Sequence, residues 1–178
     1  MKRLFYVMFF AGSLCLRAED FEGFKVGGFT SLESEGGKWS AKVGHAEIDG
    51  AHAKGGKKSL RLLGGEGHFT EFGFKTSSKE AVVLSFWAER WTSRSPFQFR
   101  IEEKRAGKWS EIYNGDKNIK VGGFNTLVEV PLRKGVEGLR FRATTPVKSG
   151  VMIDDLLVET VQPMVVEKVT TIQPVIPV

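Results

Sequence analysis

From Asp20 onward, apolar and polar residues alternate in short runs that are separated by glycine-rich or otherwise polar turn segments. Alternation with a period of two places successive side chains on opposite faces of a β-strand, whereas helical periodicity is hardly visible here. The pattern predicts eleven strands, near residues 20–24, 38–43, 46–48, 58–63, 68–74, 81–91, 97–104, 108–113, 124–131, 138–144 and 150–160.

Eleven short strands in one chain favour an all-β fold, a two-sheet antiparallel β-sandwich with a single core. Asn114-Gly115 and the run from Arg105 to Lys108 are typical of tight hairpin turns. Because both local hairpins and long crossings are expected, the sequence favours a jelly-roll type over an immunoglobulin topology. Residues 19–160 are the predicted sandwich module.

The first 18 residues have the pattern of a secretory signal peptide, with an N-terminal signal helix. Lys2 and Arg3 precede an apolar run, and Ala18 stands before Glu19 at the expected cleavage site. The apolar run is short for a membrane span. We expect a secreted, periplasmic or cell-surface protein. Lipidation of Cys15 is the less favoured alternative, since a bulky leucine precedes it.

The last segment, residues 161–178, changes composition and becomes proline-punctuated and extended. It is typical of an extended linker or of the first strand of a following domain.

The charge of the chain gives no indication of a nucleic-acid partner. The full sequence has 26 basic and 21 acidic residues. Removal of residues 1–18 deletes three basic residues and no acid, which leaves 23 against 21, a net charge of about +2. No dense basic cluster is visible in the sequence, so nucleic acid is not an expected partner. The one cysteine also leaves with the signal, so disulfides do not hold the mature domain.

Two adjacent acids, Asp154 and Asp155, interrupt an otherwise apolar strand. Unless a bulge intervenes, one of them must point into the sandwich, where a carboxylate needs a partner. Glu22 is the first candidate to share a cation with this doublet. Hard oxygen ligands suit a structural Ca²⁺ held by Glu22, Asp155 and Asp154. The alternative is a carboxylate held only by backbone N–H groups or by a basic residue.

Aromatic residues are the main sign of a ligand site, because sugar rings stack on tryptophan and tyrosine. They are crowded between residues 87 and 113. Trp91 lies at a strand end and is expected near solvent, while Trp87 and Phe99 are expected in the core. Arg90 and Arg94 could meet a carboxylated sugar, or could pair with Glu102 or Glu89. The candidate ligand-binding residues are Trp91, Arg90, Arg94, Trp109 and Tyr113.

No catalytic constellation is present in the sequence. The three histidines lack the spacing of a zinc site, and no nucleophile elbow or phosphate loop occurs. Glu102-Glu103 and Asp154-Asp155 could supply a glycosidase's two carboxyl groups, but adjacent acids on a strand point apart. A structural role for these acids is therefore favoured.

Three segments resemble the first, early and last strands of MAM-type and carbohydrate-binding jelly rolls. They are Asp20-Phe21-Glu22, Gly56-Lys57-Lys58-Ser59-Leu60-Arg61-Leu62 and Val151-Met152-Ile153-Asp154-Asp155-Leu156. In those families an acid of the first strand and an aspartate of the last strand commonly help to hold a structural calcium. The resemblance thus implies that Glu22 and Asp155 are calcium ligands.

A further likeness covers most of the mature chain. Leu84–Thr92, Pro96–Glu102, Gly150–Asp155 and Gln162-Pro163-Met164 resemble the lectin-like module that precedes the catalytic propeller of some bacterial secreted exo-sialidases. The catalytic residues and Asp boxes of that family have no matching positions in this chain. The resemblance therefore implies an accessory module of a sialidase whose catalytic domain follows.

These observations lead to one favoured function and two rivals. The favoured one is a non-catalytic module that binds glycans, sialylated or galactose-containing, through the Trp91 end and keeps a following catalytic domain near its substrate. The first rival is a structural domain that packs on a neighbour and binds no sugar. The second, a hydrolase in its own right, has the least support.

Overall fold

A computed structural model of the protein describes residues 15–75 and 81–160, and it describes residues 15–18 and 160 by their backbone alone. The described chain is built of strands: Cys15–Glu19 (β1), Gly27–Gly28 (β2), Ser31–Glu33 (β3), Gly37–Ala41 (β4), Ala46–Asp49 (β5), Ser59–Leu63 (β6), His68–Phe74 (β7), Val82–Arg90 (β8), Gln98–Arg105 (β9), Lys108–Asn114 (β10), Thr126–Leu132 (β11), Gly138–Thr144 (β12) and Gly150–Thr160 (β13).

The strands form two antiparallel sheets. The first sheet has the order β11-β8-β13-β6-β5-β2, with β1 paired to β13, and the second has the order β10-β9-β12-β7-β4-β3. The hairpins β3-β4, β5-β6 and β9-β10 stay within one sheet, while every other connection from β2 to β13 crosses to the opposite sheet. The predicted all-β sandwich of jelly-roll type is confirmed.

The core lies between the two sheets. Along β8 the inward side chains alternate with outward ones, so Leu84, Phe86 and Ala88 are fully buried. Trp39 has no exposed surface, and its ring lies 4.7 Å from that of Phe72 and 5.7 Å from that of Phe141. Such ring pairs add to the free energy that burial of their apolar area provides.

Ten of the eleven predicted strands overlap strands of the structure, and the strand predicted at residues 20–24 is wrong. This segment is a turn, in which Phe21 has a φ of 61° and the backbone N–H of Glu22 donates to the Asp20 carboxylate. The positive φ directs the Phe21 ring into the core, where it lies 5.7 Å from Trp39. Alternation could not reveal this, since it carries no information about the sign of the φ angle at Phe21.

The two ends of the chain fall partly outside the described residues. The predicted linker, residues 161–178, lies outside them, as do the first 14 residues of the predicted signal. The backbone of residues 15–19 forms β1 beside β13. Cleavage after Ala18 stays a prediction, and it would remove every residue of β1 except Glu19. None of the described elements is a helix of the length and apolarity that a membrane crossing requires.

Candidate functional site

A bulge occurs at the acidic doublet of β13. The register with β8 shifts between Asp154 and Leu157, and Asp155 has a φ of 49°. Ile153 points into the core, so Asp154 points to the outer surface of the first sheet, yet it has no exposed surface. One acid is therefore buried as expected, but it lies beneath an outer loop and not between the sheets.

Backbone N–H groups surround the Asp154 carboxylate. Its Oδ2 accepts hydrogen bonds from the N–H groups of Lys54 at 2.7 Å and Gly55 at 3.1 Å, and its Oδ1 accepts one from Asp155 at 2.8 Å. Burial raises the pKa of Asp154, and the Asp155 charge adds to this, while the three hydrogen bonds oppose it. The described contacts match the alternative of a carboxylate held by the backbone.

Glu22 binds the same loop from the other side. Its Oε1 accepts hydrogen bonds from the N–H groups of Lys57 at 2.6 Å and Lys58 at 2.7 Å, and these bonds lower the pKa of Glu22. Gly56 is needed here, because its φ is 61° and a Cβ would lie 2.4 Å from Glu22 Oε1. A Cβ on Gly55 would lie 3.1 Å from Asp155 Oδ1. Glu22 and Asp155 thus contact adjacent glycines.

The side chain of Lys58 places a cation beside Glu22. Its Nζ donates to the carbonyl oxygens of Glu22 and Phe24, each at 2.7 Å. These two carbonyls would be natural ligands for a metal ion bound beside Glu22. An ammonium that already occupies them would repel a second cation.

The donor set, with the hydrogen bonds described, does not fit a calcium site. Three of the carboxylate oxygens of Glu22 and Asp154 accept backbone N–H groups, and Lys58 occupies the nearby carbonyls. Within residues 15–75 and 81–160, no three His, Cys, Asp or Glu side chains are grouped so that they could hold a metal. Calcium stays a prediction, which a melting experiment decides.

We expect a chelator to leave the thermal unfolding midpoint unchanged at matched ionic strength, and Lys58→Met to lower the free energy of unfolding by about 2 kcal/mol. The reason is that methionine fills the same space but leaves both carbonyls without a donor. Differential scanning calorimetry measures both effects. Lys57→Met is the matched control, since its side chain is exposed. A chelator-induced fall in the midpoint would instead support the bound metal.

Trp91 is the tryptophan with the most exposed side chain, at 42%. It lies just after β8 on the outer side of the first sheet, and the guanidinium of Arg61 is 4.4 Å from its ring. Arg61 is fixed by Glu47 at 3.2 Å and Asp49 at 3.8 Å. One side of the indole is therefore supported by a charge-paired arginine, and the prediction that Trp91 lies near solvent is confirmed.

A histidine packs beside Trp91 and is itself held by a buried glutamate. The ring of His52 meets that of Trp91 at 90° with centroids 5.8 Å apart, and it stacks on Phe124 at 5.3 Å. Glu89 is 1% exposed. Its Oε1 lies 2.6 Å from His52 Nε2, and its Oε2 accepts the N–H of Phe124 at 2.8 Å. This carboxylate joins two loops to the first sheet beside Trp91.

Sequence reasoning did not single out His52, Glu89 or Arg61 as site residues. The available signal was Glu89, an acid on the outward face of a strand whose other face is apolar. It is the same signal that Asp154 gives in β13. The partners of Glu89 come from loops, whose positions alternation does not predict.

The two arginines near Trp91 have different roles. Arg90 donates from Nη2 to the carbonyls of Ser93 at 3.1 Å and Arg94 at 2.8 Å, and its guanidinium lies 4.0 Å from the Phe97 ring. Burial lowers the pKa of Arg90. Arg90 thus fixes the loop after β8 and forms an ion pair with neither Glu89 nor Glu102. Arg94 is exposed and contacts Thr92 Oγ1.

Trp109 and Tyr113 lie on β10 of the second sheet, whereas Trp91 follows β8 of the first sheet. Trp109 is on the outer face, with the guanidinium of Arg140 at 4.1 Å from its ring. A bulge between Glu111 and Tyr113 changes which face of the sheet the following side chains point to. The ring of Tyr113 packs against that of Phe99, with centroids 6.3 Å apart. Burial raises the pKa of Tyr113. The five candidate residues therefore do not form one site.

Phe99 is fully buried, as expected, but the expected core position of Trp87 is wrong. Trp87 shares the outward face of β8 with Glu89, and Lys54 Nζ lies 4.0 Å from its ring. A cavity of about 400 Å³ adjoins it, lined also by Leu127 and Asp155. Parity along the strand decided this position against the general preference of tryptophan for burial.

The paired glutamates of β9 point to opposite faces, as alternation requires. Glu102 lies outward and pairs with Arg140 at 3.2 Å and Arg142 at 3.1 Å. Glu103 is fully buried and pairs with Arg133 and Arg105. Each carboxylate is neutralised by two arginines, so the pair is not arranged as a glycosidase's acid and base.

No family model matches the chain, and no curated protein matches it. Solved structures do match it. The CBM22-1 xylan-binding domain of Paenibacillus barcinonensis Xyn10C is 17% identical, with 84% of this chain and 96% of that domain covered and a TM-score of 0.53. The K3 cleaved adhesin domain of Lys-gingipain from Porphyromonas gingivalis W83 is 12% identical, with 84% and 100% covered and a TM-score of 0.57.

The K2 cleaved adhesin domain of the same gingipain is 16% identical, with 82% of this chain and 99% of that domain covered and a TM-score of 0.54. At these identities the likeness concerns the fold alone. The chain is a β-sandwich distantly similar in structure to carbohydrate-binding modules and to gingipain adhesin domains.

Proposed function

We propose that this chain is a non-catalytic glycan-binding domain, with Trp91 as the platform on which a sugar ring stacks. The observation that carries the proposal is that Trp91 is 42% exposed while Arg61 and His52 pack against its ring. An exposed tryptophan that is fixed by neighbours loses little conformational entropy when a ligand binds.

The surroundings of Trp91 suit a sugar. The C–H face of a pyranose packs on an indole ring, and its hydroxyls need polar groups at the rim. His52 has a side chain that is 38% exposed, and Arg94 is exposed in the loop that follows Trp91. Both can exchange water for sugar hydroxyls. The fold adds support, since one similar structure is named as a xylan-binding domain.

A finer role follows from the sequence resemblance. We propose that the module serves a secreted sialidase or related glycoside hydrolase and recognises sialylated or galactose-containing glycans. Weak binding would suffice, because a tethered module raises the effective concentration of the following catalytic domain at the glycan surface. Arg94 is the cation nearest in sequence to Trp91 that could meet a sialic acid carboxylate.

We expect Trp91→Ala to weaken glycan binding by at least about tenfold, because it removes the stacking surface at the centre of the site. Isothermal titration calorimetry with sialylated galactosides, plain galactosides and xylan oligosaccharides measures the dissociation constants and the preferred sugar. Phe69→Ala is the matched control, since it removes an aromatic ring that packs against Arg140 on the outer face of the second sheet, away from Trp91. Its affinity should equal that of the wild type.

Two results would contradict the proposal: absence of binding to all three glycans by the folded protein, or equal affinity of Trp91→Ala and the wild type.

The competing function, a structural interaction domain, is favoured by exposed apolar side chains on the same side, Leu127 at 47% and Val121 at 49%. That function predicts that the average molecular mass in solution rises with protein concentration. Leu127→Lys should reduce this rise, and added sugar should leave it unchanged. Turnover of a fluorogenic sialoside by the isolated chain would exclude the non-catalytic role.

A further inference from the structure

A basic cleft lies at the edge of the second sheet, away from Trp91. It has a volume of about 630 Å³, within the range of roughly 300–1,000 Å³ that small-molecule sites occupy. The β9-β10 hairpin and the β11-β12 loop form it. We call it the basic cleft, and its principal lining residues are Arg105, Lys108, Trp109, Ser110, Arg133 and Lys134.

Two of its arginines are held in place from below. Glu103 is fully buried at the end of the core, and it accepts hydrogen bonds from the Nε and the backbone N–H of Arg133. Arg133 Nη2 also donates to Ser110 Oγ at 2.8 Å. Arg105 Nε lies 3.3 Å from Glu103, and its Nη1 donates to the Lys134 carbonyl. The guanidinium groups are therefore positioned before any ligand arrives.

The cleft carries an excess of positive charge. Four basic side chains line it, and Glu103 neutralises one of them, which leaves three. The ammonium groups of Lys108 and Lys134 are in exposed residues, and in the described part of the chain neither takes part in an ion pair. Arg133 has a side chain that is 53% exposed despite its bond to Glu103. An anion can thus reach both the lysines and the fixed arginine.

We propose that the basic cleft binds an acidic polysaccharide, one that carries a carboxylate or a sulfate on its sugar units. A guanidinium presents paired N–H donors that match a carboxylate or sulfate, and the two lysines add charge without fixed geometry. Trp109 gives the cleft an apolar wall, and Ser110 offers a hydroxyl. This site is independent of Trp91, because the two lie on different sheets.

A saccharide fits this cleft better than a nucleic acid. Single-stranded nucleic acids are bound by rows of aromatic rings that stack on successive bases. Trp109 is the one aromatic residue that lines the basic cleft, and the guanidinium of Arg140 already lies 4.1 Å from its ring. Sugars with a charge on each ring need the spaced cations more than the stacking.

The test measures binding of the full chain to polygalacturonate and to dextran sulfate at low salt, with neutral dextran and oligothymidylate as comparison polymers. We expect Lys108→Gln/Lys134→Gln to weaken binding to the preferred acidic polysaccharide about fivefold, since each exposed charge contributes modestly. This variant leaves Glu103 and its arginines intact. Lys42→Gln/Lys117→Gln removes the same charge from exposed positions outside the cleft and should bind like the wild type.

Polygalacturonate tests the carboxylate source of the ligand charge and dextran sulfate tests the sulfate source, and cleft-dependent binding of either supports the proposal. Three results would overturn it: absence of binding to both polymers, an equal loss in the two double variants, or equally tight binding of oligothymidylate. Arg133→Lys is the second variant, which retains charge but loses the paired donors. An affinity equal to that of the wild type would remove Arg133 from the site.

Discussion

Asp154→Ala should lower the free energy of unfolding by about 3 kcal/mol, a large share of what holds a domain of this size together. The carboxylate accepts three backbone N–H groups in a place with no exposed surface. Alanine would leave Lys54, Gly55 and Asp155 without an acceptor and would open a cavity under the loop. Equilibrium denaturation in urea measures the change.

The control for this prediction is Asp154→Asn, which keeps the shape and one acceptor oxygen and should cost about 1 kcal/mol. The pH dependence tests the electrostatics. Burial raises the folded pKa of Asp154 above the ordinary value of 3.8, so the folded state binds this proton more tightly than the unfolded state. The advantage of the wild type over Asp154→Asn should therefore be fully present below pH 3.8 and should fall as the pH rises through the raised pKa.

An advantage that grows with pH would contradict this, because it would mean that the three hydrogen bonds outweigh burial and lower the pKa. A loss of less than about 1 kcal/mol in Asp154→Ala would show that water replaces the carboxylate without cost. The second result would remove Asp154 as the residue that attaches the loop at residues 54–58 to the last strand, whereas the first would change only the sign of its pKa shift.

The strands of this sandwich were predictable from the sequence because their inward positions are almost uniformly apolar. The alternation in β8 and β12 is enough to place Phe86 and Phe141 in the core. Burial of such side chains from both sheets decides the fold more strongly than any local preference. Short elements were missed for the same reason: β2 and β3 have two and three residues and bury little.

The outer surface of the first sheet could not be predicted in this way. Alternation assigns outward residues to solvent, yet Asp154 and Glu89 are buried because loops fold over them. The bulge at Asp155 likewise depends on a positive φ, which few residue types favour and which the alternation pattern does not predict. Loop positions are set by long-range contacts, so the partners of a buried acid appear only in three dimensions.

The buried acids of this fold have local partners, as the sequence predicts, but the kind of partner differs from one acid to the next. An acid in an apolar strand does need local partners, and Asp154, Glu89 and Glu103 each have them. The partners differ: backbone N–H groups, a histidine with one N–H, and two arginines. Asp154 and Glu89 both hold the loop between β5 and β6, Glu89 also holds the loop before β11, and Glu103 holds the loop after β11. These three carboxylates therefore position the loops on which both proposed ligand sites depend.

Glu89→Ala should lower the free energy of unfolding by about 3 kcal/mol and should also abolish measurable glycan binding at Trp91. The Glu89 carboxylate accepts the Phe124 N–H and is the hydrogen-bond partner of His52, whose ring packs beside Trp91. Without it, both loops lose their attachment to β8 and the indole loses its fixed position. Denaturation in urea and calorimetric titration with the preferred glycan measure the two effects.

Glu89→Gln separates the two roles of this residue, because an amide still accepts the Phe124 N–H and can donate to a neutral imidazole. We expect a loss of about 1 kcal/mol in unfolding free energy and a dissociation constant within about threefold of the wild type. His52→Ala provides the complementary case, since it removes the support of Trp91 while the Phe124 bond remains. Undiminished glycan affinity in folded His52→Ala would show that Trp91 needs no support from the buried glutamate, and the link between loop attachment and binding would then be absent.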